Sequence, residues 1–293
     1  SSTFYYDSDE DGFGDPENQT LACHPPEPLW IENDQDCDDS EPVAHPDAEE
    51  ICDGIDNNCD ENIDEDQLGL GEECAATSCL DLLTELPESE NGIYYIDPTG
   101  NNSYEAYCDM DAGGWTLIMK SMTNNSELNY DSALWISETL LNADDFDLVF
   151  GSNSKYPAFN DLPFSEVRIY MNFVDRTFTF GAYFTSMLQA QYSGAYSTTE
   201  TQYQYFNPSY WNLPANGHEA YHCRNFGINR DFYGSGGIAR LGFQMSQEQY
   251  CGHPGTSEGV GLKETNNLDF LNSGRLQWAN ETNYFAQAWV YVR

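Results

Sequence analysis

Acidic residues near the start of the chain follow the spacing of ligands for a hard cation. Counted from Asp7, side-chain oxygen donors stand at positions 1, 3, 5 and 9 of a loop, and Gly12 stands at position 6. A calcium-binding loop wraps its backbone around the ion with this spacing within about 12 residues, and position 7 contributes a main-chain carbonyl. The predicted ligands of this first loop, residues 7–18, are Asp7, Asp9, Asp11, Phe13 and Asp15.

A second loop with similar spacing, residues 56–67, begins at Asp56. Its position 6 is Glu61, where the first loop has glycine, and the apolar Ile63 stands at position 8. Position 12 is Asn18 in the first loop and Gln67 in the second, instead of a bidentate Glu. We therefore expect weak binding, with dissociation constants of about 10⁻⁴ to 10⁻³ M. The predicted ligands of the second loop are Asp56, Asn58, Asp60, Asn62 and Asp64.

A third group of carboxylates lies between the two loops and is expected to share ligands with them. Its candidates are Asp34, Asp36 and Asp38, followed directly by Asp39. Acidic runs usually cover a solvated surface, but the spacing and the missing countercharges favour a metal here. Oxygen ligands fit calcium better than zinc or copper, so Ca²⁺ is the predicted cofactor.

The charge of the chain excludes several classes of partner. Its formal net charge is −40 at pH 7, and the first 73 residues hold 25 of the 50 acidic residues without one Lys or Arg. Nucleic acid is excluded because its phosphates need basic residues to replace their counterions. The sequence has no apolar run near 18 residues, so no membrane insertion is expected. An acidic segment of this kind requires cations to fold.

The composition changes along the chain and predicts two domains of an α+β protein. Residues 1–66 have few large apolar side chains, so calcium and disulfides must staple this loop-rich module in place of a core. Residues 67–78 are expected to be a linker, and residues 79–293 a second domain with a small antiparallel sheet and long loops. Nine cysteines indicate an oxidising environment. We therefore expect a protein that is secreted or exposed on the cell surface.

Alternating apolar residues and turn signals predict the elements of the second domain. A hairpin is expected from strands at 92–96 and 104–109 around the turn at 97–100. Further predicted strands cover 113–120, 166–173, 177–184, 238–245 and 286–292. Short helices are predicted at 79–83, at 132–142 and near 163–165.

The acidic segment also resembles a known repeat. The motifs that carry the resemblance are YYDSDEDGFGDP, LACHPPEPLWIENDQDCDDSEP and HPDAEEICDGIDNNCDENIDED, within residues 4–66. They resemble the MopE-type acidic repeat of bacterial surface proteins, which is related in its logic to thrombospondin type 3 calcium repeats. The resemblance implies metal binding. Some members of that repeat family are associated with copper, which leaves a copper site at His24 and His45 open as an alternative.

Residues 79–293 resemble a fibrinogen-like domain, closer to the intelectin type than to fibrinogen. The resemblance is carried by Cys79, GIYYIDPTG, YCDMDAGGWTLIMK and the terminal AWVYVR, and residues 130–235 do not contribute to it. It implies that a calcium ion held by His and Glu coordinates vicinal hydroxyls of a sugar beside aromatic rings. His253 as an ordinary loop residue and Trp278 as a core residue are the alternatives. The implied ligand-binding residues are Asn225, His253, Glu258, Asp269, Phe270 and Trp278.

Cysteine pairing can be only partly assigned. The fibrinogen-like resemblance implies Cys79–Cys108 and Cys223–Cys251. In the acidic segment, spacing favours Cys23–Cys37 and Cys52–Cys59, although spacing alone does not settle connectivity. Cys74 is then left unpaired, available either for an intermolecular bridge or as a free thiol.

These features predict a binding protein. The sequence has no G-x-S-x-G, H-E-x-x-H or P-loop motif, so no enzyme is expected. The first hypothesis is calcium-dependent, lectin-like adhesion to a carbohydrate or another cell-surface ligand. The second is a structural subunit of an extracellular filament or matrix that assembles with itself and in which calcium is purely structural.

Overall fold

The structure, a computed structural model, describes residues 1–65, 67–171, 174–193, 196–197, 223–230, 237–246, 256–264, 270–277 and 284–293. The chain divides into two units. The smaller unit comprises Ser1–Thr77, Thr84–Glu88 and Tyr94–Glu105, and the larger comprises Ser78–Leu83, Ser89–Ile93 and Ala106–Arg293.

The smaller unit begins with a three-stranded antiparallel sheet in the order β2-β1-β3, formed by Ser2–Tyr6 (β1), Asp15–Ala22 (β2) and Trp30–Ile31 (β3). The sequence pattern did not predict these strands. Most residues of β2 are exposed, so β2 lacks the alternation of a half-buried strand. Phe4 and Ala44 are buried, and turns and bends make up most of the remainder up to residue 77.

Two disulfides in the smaller unit correct the predicted pairing. Cys37 pairs with Cys59, and Cys52 pairs with Cys74. The predictions Cys23–Cys37 and Cys52–Cys59, with Cys74 unpaired, are therefore wrong. The chain after the second loop folds back onto Cys52, where the Cys74 N–H donates to Cys52 Sγ at 3.0 Å. Cys23 is exposed and outside any disulfide.

The segment predicted as a linker, residues 67–78, is folded into the smaller unit. The Gly69 N–H donates to the Cys74 carbonyl at 2.7 Å, and the Gly69 carbonyl accepts from the Tyr95 N–H at 2.8 Å. Ala76 forms an isolated parallel bridge with Ile96. Backbone hydrogen bonds and the Cys52–Cys74 disulfide therefore hold this segment in place.

The remaining elements are strands joined by loops and a few short helices. The helices are α1 (Cys79–Glu85), α2 (Ala158–Asp161) and α3 (Met187–Ser193), with a 3-10 helix at Ala133–Ile136. The strands are β4 (Gly92–Ile96), β5 (Tyr104–Asp109), β6 (Trp115–Ser121), β7 (Ser154–Lys155), β8 (Phe164–Met171), β9 (Val174–Phe184), β10 (Tyr196–Ser197), β11 (Cys223–Arg230), β12 (Gly237–Ser246), β13 (Thr256–Glu264), β14 (Phe270–Gln277), β15 (Tyr284–Phe285) and β16 (Ala288–Val292).

These strands form two sheets. One has the order β4-β5-β6-β16-β8-β9, with β7 paired to β6, and the other has the order β10-β11-β12-β13-β14-β15. The described chain is thus mostly antiparallel sheet with few helices and many loops. The predicted hairpin occurs as β4 and β5 at its predicted bounds. The predicted helix at 132–142 shrinks to the four-residue 3-10 helix, and that near 163–165 is wrong because Phe164 begins β8.

Strand β6 contributes to a hydrophobic core of the larger unit. Every residue of β6 is buried, and Trp115 and Leu117 pack in a cluster with Tyr156 and Tyr291. The strand starts two residues later than predicted because Gly113 and Gly114 turn with positive φ. A side chain at Gly114 would lie 2.8 Å from Leu80 Cα, so glycine there permits the close approach of α1.

Two polar features complete this core. The Cys79–Cys108 disulfide implied by the sequence resemblance is present. Lys120 is fully buried, and its Nζ lies 2.8 Å from Asp145 Oδ1. In the part of the chain that the structure describes, no helix has the length and apolarity needed to cross a membrane.

Candidate metal centre

The first loop folds around its own carboxylates. It connects β1 to β2, and the Asp7 carboxylate accepts hydrogen bonds from the N–H groups of Glu10 at 2.7 Å and Gly12 at 3.2 Å. The Asp11 carboxylate accepts from the Phe13 N–H at 2.7 Å. Gly12 has a φ of 98°, a conformation that glycine adopts without steric cost. The turn that the spacing predicts is therefore present.

Five carboxylates converge at this loop in two overlapping groups, Asp7–Asp9–Asp11 and Asp9–Asp36–Asp39. In each group one oxygen per residue lies within 4.8 Å of the others. Asp36 and Asp39 reach the loop from the segment after β3, and Asp39 Oδ1 accepts from the Ser8 N–H at 2.7 Å. The sequence predicted that the third group would share ligands with the loops. We call Asp7, Asp9, Asp11, Asp36 and Asp39 the five-acid centre.

Three oxygens of the five-acid centre are buried without a hydrogen-bond partner: Asp9 Oδ2, Asp11 Oδ2 and Asp36 Oδ2. A buried charged oxygen without a partner is costly. Neither group contains an imidazole or a thiolate. An all-oxygen donor set suits hard cations such as calcium, magnesium or manganese. The residues present therefore fit a divalent metal ion.

The pKa values of three of these acids are raised, as expected where carboxylates meet without a nearby positive charge. Burial, opposed by a backbone hydrogen bond and reinforced by the carboxylates of Asp11, Asp9 and Asp39, raises the pKa of Asp36 to about 6. Burial also raises the pKa values of Asp9 and Asp39, and neighbouring carboxylates add to both shifts. A cation at the centre would reverse these shifts by favouring the ionised forms.

The other predicted ligands near the first loop lie outside the five-acid centre. Asp15 Oδ1 accepts from the Glu17 N–H at 2.7 Å, and Asp38 Oδ1 accepts from the Ser40 hydroxyl at 2.6 Å. Asp34 is exposed. An open groove of about 550 Å³ lies beside the centre. Its lining residues are Asp15, Pro16, Glu17, Asp36, Cys37, Asp38, Asp39 and Ser40.

The second loop repeats the backbone pattern of the first. The Asp56 carboxylate accepts from the N–H groups of Asp60 at 3.1 Å and Glu61 at 2.8 Å, and Asp60 Oδ1 accepts from the Asn62 N–H at 2.9 Å. In both loops, position 1 accepts from position 6, and position 5 accepts from position 7. Glu61 adopts a φ of 76°, so it takes the conformation that Gly12 takes in the first loop.

The acids of the second loop do not converge as those of the first loop do. In the described residues, no three acidic side chains of this loop form a group of possible ligands. The Asp64 carboxylate accepts from the N–H groups of Asp53 and Gly54, both at 3.1 Å. Glu50 accepts from the N–H groups of Asn58 at 2.7 Å and Asp64 at 3.0 Å. Backbone donors thus satisfy carboxylates that the spacing assigned to a metal.

Two polar atoms of the second loop lack a hydrogen-bond partner, so a metal site in this loop stays a prediction. Asn58 Oδ1 and Glu65 Oε2 are buried without a hydrogen-bond partner, and Asn58 Nδ2 donates to Glu65 Oε1 at 2.6 Å. Sequence reasoning missed Glu50 and Glu65, because neither stands at a ligand position of the loop spacing. Asp39, in contrast, stood in the third group of carboxylates that the sequence predicted.

Only part of the predicted sugar site in the larger unit falls in the described chain. His253, Asp269 and Trp278 lie outside the described residues, as does Cys251 of the implied Cys223–Cys251 pair. Asn225 in β11 pairs with Gln244 of β12, and Gln244 pairs with Ser257, the neighbour of Glu258 in β13. The register therefore places Asn225 and Glu258 in adjacent transverse rows, which belong to opposite faces of the sheet.

Phe270 lies far from those rows. It begins β14 and pairs with Lys263, whereas Arg275 of the same strand pairs with Glu258. Five residues of strand separate the two pairs, about 16 Å at a rise of 3.3 Å per residue. The backbone register therefore separates Phe270 from Asn225 and Glu258.

Comparison with known proteins supports metal binding in the smaller unit. The Cu-binding MopE family model, described as a "putative metal-binding motif", matches residues 36–65. The matched range includes Asp36, Asp39 and most of the second loop. It begins after the first loop, residues 7–18, and does not include that loop. No curated protein matches the chain. The motif and the convergent acids together suggest a bound metal ion.

Proposed function

We propose that the smaller unit is a calcium-binding module that the ion stabilises. The observation that carries this proposal is the set of buried, unpartnered oxygens of Asp9, Asp11 and Asp36. They belong to the five-acid centre, within a unit that contains no Lys or Arg. A divalent cation supplies the missing partner, and its binding energy contributes directly to folding.

Calcium fits this centre better than copper, the metal in the matched family's name. The His45 ring stacks on Phe13 with centroids 5.2 Å apart, and its Nδ1 lies 3.0 Å from the Pro46 carbonyl. His45 is not a member of either acid group. Copper(II) prefers imidazole nitrogens, and the five-acid centre offers only carboxylates. Asn18 at position 12 is exposed in β2, consistent with the weak affinity expected without a bidentate Glu.

The metal proposal is tested by calorimetric melting of the full chain in EDTA, 10 mM calcium, 10 mM magnesium and equimolar copper(II). At dissociation constants of about 10⁻⁴ to 10⁻³ M, 10 mM calcium should stabilise the smaller unit by about 1.4 to 2.7 kcal/mol per site. A melting temperature that is the same in calcium and EDTA would contradict the proposal. Selective stabilisation by equimolar copper would indicate that the bound metal is copper and not calcium.

We propose that the larger unit is a fibrinogen-like, lectin-like recognition domain. The support is that the residues carrying the sequence resemblance meet in space. The terminal strand β16 pairs with β6, with Val292 opposite Thr116. The Arg293 guanidinium lies 4.5 Å from the centre of the Trp115 ring, and its Nη1 donates to the Gly113 carbonyl at 3.1 Å. The expected ligand is a carbohydrate or a similar polyhydroxylated group on a cell surface.

The recognition proposal is tested with a glycan array probed in millimolar calcium and again in EDTA. Calcium-dependent binding that Glu258→Gln and His253→Ala each abolish would support it, and Glu264→Gln in the same strand as Glu258 serves as a control. An array without hits, in a protein that calcium still stabilises, would restrict the metal to a structural role. We propose a binding role for this unit and assign it no reaction.

The proposed location is extracellular. Three disulfides fit an oxidising environment. Calcium sites of the expected affinity are occupied at the millimolar calcium concentrations that extracellular modules use. Both observations support secretion or display at the cell surface.

A second candidate function is a subunit of an extracellular filament. The cysteine available to link chains is Cys23, whereas the sequence had suggested Cys74. Cys74 is bonded to Cys52, whereas Cys23 is exposed and free. A disulfide between chains through Cys23 would give a covalent dimer on a non-reducing gel. Cys23→Ser should abolish the dimer, and a monomer in calcium for both proteins would count against this candidate.

A further inference from the structure

The five-acid centre joins two segments that the sequence treats separately. Asp7, Asp9 and Asp11 belong to the first loop, outside the matched motif, whereas Asp36 and Asp39 belong to the motif. Asp9 is the residue common to both groups. We infer that the centre holds two divalent cations and that the Asp9 carboxylate bridges them. This inference rests on the proposed metal-binding function and deepens it.

The geometry separates the acids into two ligand sets. The two groups are not one group of five with all ligand atoms inside 4.8 Å, because only Asp9 belongs to both. Each set also contains its own buried, unpartnered oxygen, Asp11 Oδ2 in one and Asp36 Oδ2 in the other, besides Asp9 Oδ2. Asp36 is 4% exposed, so water cannot readily solvate its carboxylate. An ion bound to one set would leave the orphan oxygen of the other unsatisfied.

The charge of the centre also favours two ions. Five ionised carboxylates meet there, and the first basic residue of the chain is Lys120, which belongs to the larger unit. One divalent cation would leave a formal charge of −3 at the centre, and two would leave −1. Close like charges in a partly buried site repel strongly, so the second cation removes most of the remaining repulsion.

A bridged pair of ions would fasten the β1–β2 hairpin to the matched motif. Two direct contacts already join these segments. They are the hydrogen bond from the Ser8 N–H to Asp39 and the stacking of Phe13 on His45. The metal-binding unit would then extend beyond residues 36–65 to include the N-terminal hairpin.

The test counts bound ions in the full-length chain by calorimetric titration with calcium and with terbium. Asp9→Ala should bind two ions fewer than the unchanged protein, and Asp7→Ala and Asp36→Ala should each bind one ion fewer. Glu10→Gln, an exposed neighbour in the same loop, should bind the full number. The inference is overturned if Asp9→Ala loses no more ions than Asp7→Ala does. If the unchanged protein binds no divalent ion, the proposed function itself fails.

A second measurement does not depend on how well the Asp9 variant folds. In Asp56→Asn, which disables the second loop, mixed loading with terbium and neodymium should shorten the terbium emission lifetime, because energy transfer between lanthanides requires close ions. Asp36→Asn in this background should restore the long lifetime. A lifetime that mixed loading leaves unchanged, with terbium bound, would mean isolated ions and would overturn the bridged pair.

Discussion

The two acidic loops share one backbone pattern and differ in what their carboxylates face. In the first loop, Asp9 and Asp11 each keep a buried oxygen without a partner. In the second loop, the Asp64 carboxylate accepts from backbone N–H groups of residues 53 and 54. The difference arises from the segments packed against each loop. Asp36 and Asp39 bring more negative charge to the first, and backbone donors approach the second. Ligand spacing thus fixes the turn, and the neighbouring segment determines how many acids converge on it.

The largest expected effect comes from breaking the disulfide that connects the two loop regions. Cys37 follows Asp36 directly, and its partner Cys59 lies within the second loop. Replacing both with Ser should destabilise the smaller unit by about 3 kcal/mol and weaken calcium binding, because Asp36 loses its anchor. Urea unfolding and calcium titration measure the two effects.

The Cys52–Cys74 pair offers a matched control. It has the same sequence separation of 22 residues, so chain entropy predicts a similar loss of stability. It adjoins no residue of the five-acid centre, and calcium affinity at that centre should persist in the folded double variant. Equal losses of calcium affinity for both disulfides would remove the distinction between the loops.

The next effect compares Asp11 and Asp60, which both occupy position 5. Asp11→Asn should weaken calcium binding at least about tenfold, equivalent to about 1.4 kcal/mol, because Asp11 belongs to a convergent group. Asp60→Asn should change the affinity of the tightest sites less, because Asp60 belongs to no convergent acid group in the described residues. Isothermal titration of both variants measures the difference. A larger loss for Asp60→Asn would reverse the ranking of the loops.

Substitutions at position 6 of the two loops should change the stability of the smaller unit in opposite directions. Glu61 holds a φ of 76°, which costs an L residue about 1 to 2 kcal/mol. Glu61→Gly should therefore stabilise the smaller unit by about 0.5 to 1 kcal/mol, since added freedom in the unfolded chain offsets part of the gain. Gly12→Ala should destabilise it by about 1 kcal/mol.

Nothing lies within 4 Å of the side-chain position at Gly12, so the Gly12→Ala cost reports backbone conformation without a clash. Denaturant unfolding in EDTA avoids a contribution from bound ions. If both substitutions change stability in the same direction, position 6 does not have the same role in the two loops.

The last comparison is a pH dependence of opposite sign in the two units. Burial and the nearby Asp11 carboxylate raise the pKa of Asp36 to about 6. The folded state then binds more protons than the unfolded state between about pH 6 and about pH 4. In EDTA the smaller unit should therefore gain stability from Asp36 as the pH falls through this range.

Asp145 in the larger unit behaves in the opposite way. Burial acts to raise its pKa, but hydrogen bonds from Lys120 Nζ and the Ser152 N–H outweigh burial and lower the pKa to about 2. Its stabilisation is complete above the unfolded pKa of about 3.9 and is lost as the pH falls through 2. Calorimetry from pH 7 to pH 2, with Asp36→Asn and Asp145→Asn as controls, measures both slopes. Parallel slopes in the two units would contradict the assignment.

Local signals in the sequence predicted the hairpin and the first loop well. The hairpin turn is fixed by Asp97, whose Oδ1 accepts from the N–H groups of Thr99 and Gly100. Gly100 has a φ of 71°. Gly12 fixes the turn of the first loop in the same local way. Each signal lies within a few residues of the structure it determines.

Long-range features of the smaller unit could not be predicted from spacing. The pairing of Cys37 with Cys59 depends on where the chain returns, and a shorter separation made Cys52–Cys59 the simpler choice. Strand β2 is identified by its pairing with β1, because it has no apolar face that its own sequence could show. These contacts connect segments that carry no common sequence signal.

The absence of basic residues from the smaller unit has a practical consequence for proteolysis. Trypsin cleaves after Lys and Arg, and the first such residue of the chain is Lys120, which is fully buried in β6. Tryptic digestion therefore leaves the whole acidic segment in one fragment, whether that segment is folded or unfolded. A protease that cleaves after Glu or Asp would detect the loss of calcium, and trypsin would report only the opening of the larger unit.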